Sequence, residues 1–260
     1  MKQRLNSPDL CLIDTRPADQ FAHGHIPGAV HFDLFGISLI DTSPAPLKAF
    51  MWMMRHLFEL RGVSNDREAI VYEENSGMRA ARALWFLEYF GHENVRLLDG
   101  GVEAWREAGY PVTTDAAPPK AAQLKSGDRP EILATADQVL KSLDQKSISI
   151  LDTRSDAEYM GQNIRAARAG AIPGAIHLEW TQNLNAAGKY KPNAELASMY
   201  RNLGITSENE IIPYCQGGYR SSHSYVALRI LGFPKLRNYI GSWKEWGDRL
   251  DLPLEKPWEK

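Results

Sequence analysis

The stretch IIPYCQGGYRSSHSYVALRILG, residues 211–232, joins an apolar run to a helix-like segment through a turn that begins with a cysteine. Two adjacent glycines, Gly217 and Gly218, let this turn adopt dihedral angles that bulkier residues avoid, so successive main-chain N–H groups can point at one centre. The helix-like segment ends at Gly232, a typical helix stop. An apolar strand, a tight turn and a helix in this order predict an α/β domain, in which ligands collect where strands end and helices begin.

Cys215 stands at that junction and is the candidate nucleophile. The following helix contributes partial positive charge at its N-terminus and Arg220 contributes a full charge, and both favour the thiolate. Surroundings of this kind lower a cysteine pKa from about 8.5 to between about 3.5 and 7.5. A ring of amides also stabilises an added sulfur or an oxyanion. We expect the site to be completed by the neighbouring residues Gln216, Gly217, Gly218, Tyr219 and Ser221. The alternative is a structural cysteine, since free cysteine is among the most buried residue types.

An internal repeat runs through the chain. The triplet DTR at 14–16 recurs at 152–154, and IPGAVH at 26–31 recurs as IPGAIH at 172–177. Three further pairs share one constant spacing of 141 residues: Gly91 with Gly232, Gly100 with Gly241, and Trp105 with Trp246. Self-similarity of this kind is the signature of a tandem duplication.

The length of 260 residues exceeds one average domain and suits two. We predict a first domain over 1–111, a proline-containing linker over 112–130 and a second domain over 131–260. In both halves short apolar runs alternate with helical segments. Because the runs are apolar throughout, they predict mostly parallel sheets covered by helices on both faces, an α/β fold.

The equivalent turn of the first half lacks a cysteine. There YEENSGMR places Glu73 opposite Cys215, and the turn is one residue longer when Arg79 is aligned with Arg220. An acidic turn would repel an anionic substrate. We therefore expect chemistry in the second half only, with the first half as a scaffold.

Composition excludes several classes of protein. With 43% hydrophobic residues, 24% charged residues and a net charge of -2, no nucleic-acid-binding surface is indicated. The opening MKQRLNSPDLCLIDTR lacks the features of a signal peptide, and no segment approaches the roughly 18 apolar residues of a membrane span. We expect a cytoplasmic protein with Cys11 and Cys215 as free thiols. His23 and His25 form the only close histidine pair, too few for a metal site, so neither metal nor cofactor is expected.

Taken together, these segments resemble the rhodanese family of sulfurtransferases, in the two-domain form with an inactive first domain and an active second one. In the second half the resemblance is carried by DTR (152–154), IPGA (172–175), the loop CQGGYR (215–220) followed by Ser221, and YIGSWKEW (239–246). The first half adds HGHIPGAV (23–30) and LDGGVEAW (98–105). The histidine usual in the GHIPGA motif is Ala171 in the second half, a departure at a position that is ordinarily structural.

The resemblance implies ping-pong sulfur transfer. Cys215 would attack a sulfane-sulfur donor, thiosulfate or 3-mercaptopyruvate, hold the sulfur as a persulfide and pass it to cyanide or a thiol. A protein thiol is a further candidate acceptor. The loop CQGGYR is neither the basic version of thiosulfate-specific relatives nor the small neutral version of mercaptopyruvate-specific ones, so it leaves the donor open.

Arginines are the natural ligands for the donor's charged end, because the guanidinium fork pairs with two oxygens at once. By resemblance Arg154 faces the substrate; Arg168 is a second candidate and Arg165 a weaker one. The alternative for each is a surface ion pair. Trp243 either lines the pocket or closes the core of the second domain.

Two rival functions use the same cysteine. Cysteine-based phosphatases enclose five residues between cysteine and arginine, whereas Cys215 and Arg220 enclose four. By the resemblance to rhodaneses, the shorter loop fits sulfur better than phosphate. A persulfide carrier or binding module would load Cys215 without turning over small acceptors.

Overall fold

The computed structural model describes Leu5, residues 7–116 and residues 118–259. The outer ends of both predicted domains (Met1 and Lys260), Ala117 of the predicted linker and residues 1–4 and 6 of the opening segment lie outside the described residues. The chain forms two compact units, which we call the first and the second unit. The first comprises Met1–Ile37, Ala49–Pro130 and Ala186–Tyr190, and the second comprises Ser38–Lys48, Glu131–Asn185 and Lys191–Lys260.

The first unit contains a parallel sheet. Its strands are β1 (Leu10–Asp14), β2 (Ala29–His31), β3 (Glu68–Tyr72) and β4 (Val95–Leu97), in the order β2-β1-β3-β4. The helices in this half of the sequence are α1 (Ala18–Ala22), α2 (Pro44–Leu60), α3 (Met78–Tyr89) and α4 (Gly101–Glu107). β1 and β3 are buried along their whole length, as expected for apolar runs at the centre of a parallel sheet.

The second unit repeats this plan in two pieces. Its strands are β5 (Leu133–Ala134), β6 (Ile148–Asp152), β7 (Ile176–His177), β8 (Glu210–Tyr214) and β9 (Asn238–Tyr239). Parallel pairing gives the orders β7-β6-β8 and β5-β9. Its helices are α5 (Ala136–Ser142), α6 (Asp156–Tyr159), α7 (Asn193–Asn202), α8 (Tyr219–Ile230) and α9 (Ser242–Asp248), with short 3-10 turns at Pro130–Ile132, Trp180–Asn183 and Pro257–Glu259. The α/β class with parallel sheets is confirmed.

The repeated Asp-Thr-Arg triplet has the same contacts in both units. Arg16 Nη2 bonds Asp14 at 2.7 Å and the Gly24 carbonyl at 2.8 Å. Arg154 Nη2 bonds Asp152 at 2.6 Å and the carbonyl at position 170 at 2.8 Å. All four charged side chains are buried. The triplet is therefore part of the fold of each unit, and a buried charge pair of this kind tolerates the loss of neither partner.

The predicted linker packs on the first unit. Arg55 of α2 donates to the Leu124 carbonyl at 2.7 Å, and the N–H of Ala122 donates to the Glu59 carbonyl at 2.9 Å. Leu124 is buried. Helix α2 supplies hydrogen-bond partners for these backbone groups, so the segment needs no helix or strand of its own to satisfy them. Its sequence accordingly lacks the apolar periodicity of a helix or strand.

Short segments 38–48 and 186–190 belong to the unit formed by the opposite half of the sequence. The second unit therefore includes a piece of chain far from Cys215 in sequence. No helix in the described part of the chain is long and apolar enough to cross a membrane.

Candidate active site

Cys215 follows β8 directly and opens the turn into α8. Its side chain is buried, and the N–H of Gly218 donates to its Sγ at 3.2 Å. Gly218 has a φ of 86°, in the left-handed region that favours glycine, and it caps α8. The helix begins at Tyr219.

The pKa of Cys215 lies below its ordinary value despite complete burial. Burial alone raises the pKa, because it disfavours the thiolate. The charge of Arg220, the main-chain N–H groups of Ser221 and Gly217, and the Ser221 hydroxyl outweigh it and lower the pKa. The turn therefore favours the thiolate, which is the reactive form of a cysteine side chain.

Arg220 is held by Glu158. The two guanidinium nitrogens Nη1 and Nη2 bond the two carboxylate oxygens, the second at 2.9 Å, and the Glu158 side chain is 3% exposed. Burial raises the pKa of Glu158, but the bonds and charge of Arg220 and the bonds from Ser155 bring it down to about 2. The carboxylate is thus ionised at neutral pH and fixes the guanidinium beside Cys215.

The arginines predicted to bind the donor have other partners in the structure. Arg154 is 1% exposed, bonds Asp152 and stacks over Trp243 at 4.5 Å. Arg168 donates to the carbonyls of four residues at the end of α9 and beyond, namely Trp246, Gly247, Arg249 and Leu252. These contacts favour architectural roles, and donor binding by either residue stays a prediction.

The remaining predicted residues surround the turn. The Gln216 side chain donates to the Arg165 carbonyl at 2.6 Å, while Arg165 itself is 52% exposed and reaches Glu158 at 3.4 Å. Tyr219 and Trp243 are both buried, and Trp243 lies in the apolar core of the second unit, one of the two roles expected of it.

The start of α9 also holds the turn, through hydrogen bonds to its main chain. The N–H groups of Trp243 and Lys244 donate to the carbonyls of Cys215 and Gln216, both at 2.9 Å. Ser242 Oγ accepts a bond from the Cys215 N–H at 3.1 Å. Cys215 is therefore fixed through its main chain as well as through its sulfur.

Helix α9 is anchored by Thr42, from the segment 38–48. Its N–H and hydroxyl both bond the buried Glu245 carboxylate, at 2.7 and 2.9 Å, and the Tyr239 hydroxyl donates to the same carboxylate at 2.9 Å. The Thr42 hydroxyl also accepts the Ala136 N–H at 2.8 Å. These bonds satisfy a carboxylate that would otherwise be costly to bury.

Sequence reasoning missed Glu158, Thr42 and the role of Ser242. Glu158 had a detectable signal, because Ser155 and Glu158 form a capping box, and the sequence pattern Ser-x-x-Glu predicts one. Its pairing with Arg220, 62 positions away, has no local signature. Thr42 joins the site only through tertiary packing, which periodicity does not report.

The rhodanese-like domain family matches residues 1–108 and again residues 135–249. A thiosulfate sulfurtransferase of Azotobacter vinelandii is 33% identical over 256 residues, which cover 98% of this chain and 94% of the relative. The chain belongs to the rhodanese family. Another relative of this rhodanese, the sulfur carrier protein TtuD of Thermus thermophilus, is 36% identical over 264 residues, covering 95% of this chain and 88% of the relative.

The rhodanese fold is also similar to solved structures of EanB. Wild-type EanB matches with a TM-score of 0.84 at 22% identity, over 96% of this chain and 64% of that chain. The anaerobic ergothioneine biosynthesis enzyme from Chlorobium limicola, in complex with trimethyl histidine, gives 0.85 at 23% identity, over 96% of this chain and 65% of that chain. This chain spans less than two thirds of those chains, and the similarity at these identities is one of fold. The expected family and enzyme class, a rhodanese-type sulfurtransferase, are confirmed.

The other cysteine of this rhodanese differs from Cys215. Cys11 lies within β1, and burial raises its pKa to about 11, although the charge of Arg67 opposes the rise. Both cysteines are free thiols. Of the two, only Cys215 has surroundings that lower the pKa of its thiol.

Proposed function

We propose that this rhodanese moves a sulfur atom from thiosulfate or 3-mercaptopyruvate to a thiol or cyanide through a persulfide on Cys215. The observation that carries the proposal is a buried sulfur that accepts the Gly218 N–H at 3.2 Å and has a lowered pKa. Relatives named thiosulfate sulfurtransferase support thiosulfate as the first donor to test.

Two displacements at sulfur complete the cycle. The Cys215 thiolate attacks the outer sulfur of thiosulfate; the S–S bond of the donor breaks, and its electron pair leaves with sulfite. Cyanide or an acceptor thiolate then attacks the outer sulfur of the persulfide. That S–S bond breaks, its electron pair returns to Cys215 as the thiolate, and thiocyanate or a new persulfide leaves.

The turn supports both halves of the cycle. Amides aimed at the sulfur stabilise the attacking thiolate, and they stabilise it again as the leaving group of the second step. The Arg220 charge acts in the same sense, and its ion pair with Glu158 fixes its position. Arg154 and Arg168 stay predicted donor ligands, and the exposed Arg165 is a third.

Intact-mass measurement tests the proposal. The full chain is incubated with thiosulfate and, separately, with 3-mercaptopyruvate, and the mass is recorded before and after cyanide is added. We expect a gain of one sulfur atom that cyanide removes. Cys215→Ser abolishes the gain and Cys11→Ser preserves it. No gain with either donor would contradict the proposal.

A sulfur carrier is the second candidate, and the similarity to TtuD favours it. A carrier would load Cys215 yet release sulfur to a protein thiol far faster than to cyanide. Comparing the unloading rates for cyanide, a small thiol and a protein persulfide acceptor separates the two functions.

Free cysteines at positions 11 and 215 support our placement of the protein in the cytoplasm, where thiols stay reduced.

A further inference from the structure

Ser242, the first residue of α9, has an unusual backbone conformation. Its φ is 55°, and every other described residue with a positive φ is a glycine. A side chain in this region clashes with its own main chain, so L-residues avoid it. Strain of this kind persists where the surroundings enforce it, often at functional sites.

The repeat supplies an internal comparison. Gly101 occupies the same place in LDGG of the first unit as Ser242 does in YIGS of the second, and its φ of 59° is nearly identical. The fold therefore needs left-handed backbone here, and glycine meets that need without strain. The half that carries Cys215 uses serine instead.

Space around the two positions differs too. A Cβ added to Gly101 would lie 2.3 Å from the carbonyl oxygen of Glu73 and 2.5 Å from that of Glu74. In the second unit the corresponding turn leaves room for the Ser242 side chain, which is fully buried. A position that accepts a strained, buried serine in one copy only points to a use for the hydroxyl.

The Ser242 hydroxyl links Cys215 to the end of β9. Its oxygen accepts the Cys215 N–H at 3.1 Å, and the hydroxyl donates to the Tyr239 carbonyl at 2.7 Å. The same oxygen is 4.0 Å from Cys215 Sγ. With its proton directed at Tyr239, the oxygen presents a lone pair to the main chain of the nucleophile.

We propose that Ser242 is a positioning residue for Cys215: its hydroxyl fixes the main chain of the nucleophile so that Sγ faces the amides of the turn. This inference deepens the proposed sulfur transfer and rests on it for its catalytic consequence. The left-handed strain is retained because glycine, the relaxed choice, lacks the hydroxyl.

Substitution of Ser242 in the full chain, on a Cys11→Ser background, separates strain from chemistry. Thiolate formation is titrated by ultraviolet absorbance, thermal unfolding is recorded, and loading from thiosulfate is timed. For Ser242→Gly we expect an unfolding midpoint equal to or above that of the parent chain. We also expect a titration midpoint higher by about one pH unit, the effect of about one lost hydrogen bond, and loading slower by roughly tenfold.

Two further variants sharpen the test. Ser242→Ala keeps the Cβ and the strain, so it reproduces the shifted titration and slow loading without any gain in stability. Ser242→Thr keeps the hydroxyl, so its titration midpoint stays near that of the parent chain, while its branched side chain lowers the unfolding midpoint.

Ser142→Ala is the matched control, since Ser142 is a buried serine of the same unit whose hydroxyl donates to a carbonyl, that of Gln138 at 2.7 Å. It lowers the unfolding midpoint and leaves titration and loading unchanged. If Ser242→Gly and Ser242→Ala titrate and load like the parent chain, the inference is wrong. If the parent chain fails to load sulfur but both variants shift the titration, positioning by Ser242 stands and the proposed function fails.

Discussion

The turn after β8 and the turn after β3 are built alike and hold different groups. Each turn accepts two N–H bonds from a helix later in the chain: Trp243 and Lys244 of α9 donate to residues 215 and 216, and Val102 and Glu103 of α4 donate to residues 73 and 74. The first position of one turn is Cys215, with a lowered pKa, and that of the other is Glu73, with a pKa raised to about 7.

The two turns differ in the partners of their arginine side chains and in what fills the space inside the turn. Arg79 donates through its side chain to Asp33 at 2.6 Å and lies over Phe35, and only its main-chain N–H bonds Glu73, at 3.1 Å. The Glu73 carboxylate folds back beside Gly77, where an added Cβ would lie 1.9 Å from its Oε1. The turn of the first unit is thus filled by its own side chain. A shared backbone frame does not determine the chemistry of the group it holds.

Replacing the arginine of each turn in separate variants should give the largest difference between the two turns. Arg220→Gln deletes the largest contribution that lowers the Cys215 pKa, so we expect alkylation of Cys215 at pH 7 to slow about 100-fold. Arg79→Gln is the matched variant of the first unit and leaves that rate unchanged. Equal rates for both variants would show that the amides alone activate the sulfur.

Glu158→Gln tests the support of Arg220. A pKa of about 2, against the ordinary 4.5, corresponds to roughly 3 kcal/mol of folding stability from the ionised carboxylate. Because the folded-state pKa is lowered, this contribution is complete above the unfolded pKa and is lost as pH falls toward 2. Urea unfolding should show the variant to be less stable at pH 7 and the gap to narrow by pH 3. A gap independent of pH would contradict this view of Glu158.

Glu73→Gln tests the turn of the first unit, where we expect the pH dependence of folding stability to have the opposite sign. Burial raises the pKa of Glu73 although the N–H and charge of Arg79 oppose it, so its contribution is present below pH 4.5 and is lost as pH rises through about 7. Glutamine imitates the neutral acid. We expect the variant to match the wild-type chain at pH 4 and to be more stable by roughly 2 to 3 kcal/mol at pH 8.5 in urea unfolding. A variant that gains nothing at pH 8.5 would show that Glu73 ionises without cost.

Thr42→Val is the smallest perturbation. Valine keeps the shape but leaves the Ala136 N–H without its acceptor and removes a donor from Glu245, so we expect a loss of about 2 kcal/mol in unfolding free energy. Because Glu245 lies in α9, which grips the turn, loading of Cys215 should also slow. Thr42→Ser keeps the hydroxyl, so its unfolding free energy and its rate of Cys215 loading should stay near those of the wild-type chain. A serine variant as impaired as the valine variant would assign the loss to packing instead.

Much of this comparison could be predicted from the sequence. The apolar run before Cys215, the paired glycines and the helix stop at Gly232 are local signals, and the structure places strand, turn and helix accordingly. The repeat identified Glu73 as the counterpart of Cys215. These features depend on backbone preferences within a few residues.

The rest depends on contacts distant in sequence. Arg154 looked available for substrate, yet its twin Arg16 has the same buried partners in the unit without the cysteine, and this favours a role in the fold. The pattern that predicts a linker over 112–130 carries no information about its packing on α2, and nothing local places Thr42 beside Glu245. Periodicity reports which face of an element is buried but not which element covers it.

The central claim is that the turn lowers the pKa of the Cys215 thiol below its ordinary value. Its most direct test is an ultraviolet titration of the thiolate in the Cys11→Ser chain, with the chain lacking both cysteines as the blank. We predict a transition below the ordinary cysteine pKa of about 8.5. A transition at or above that value would contradict the account.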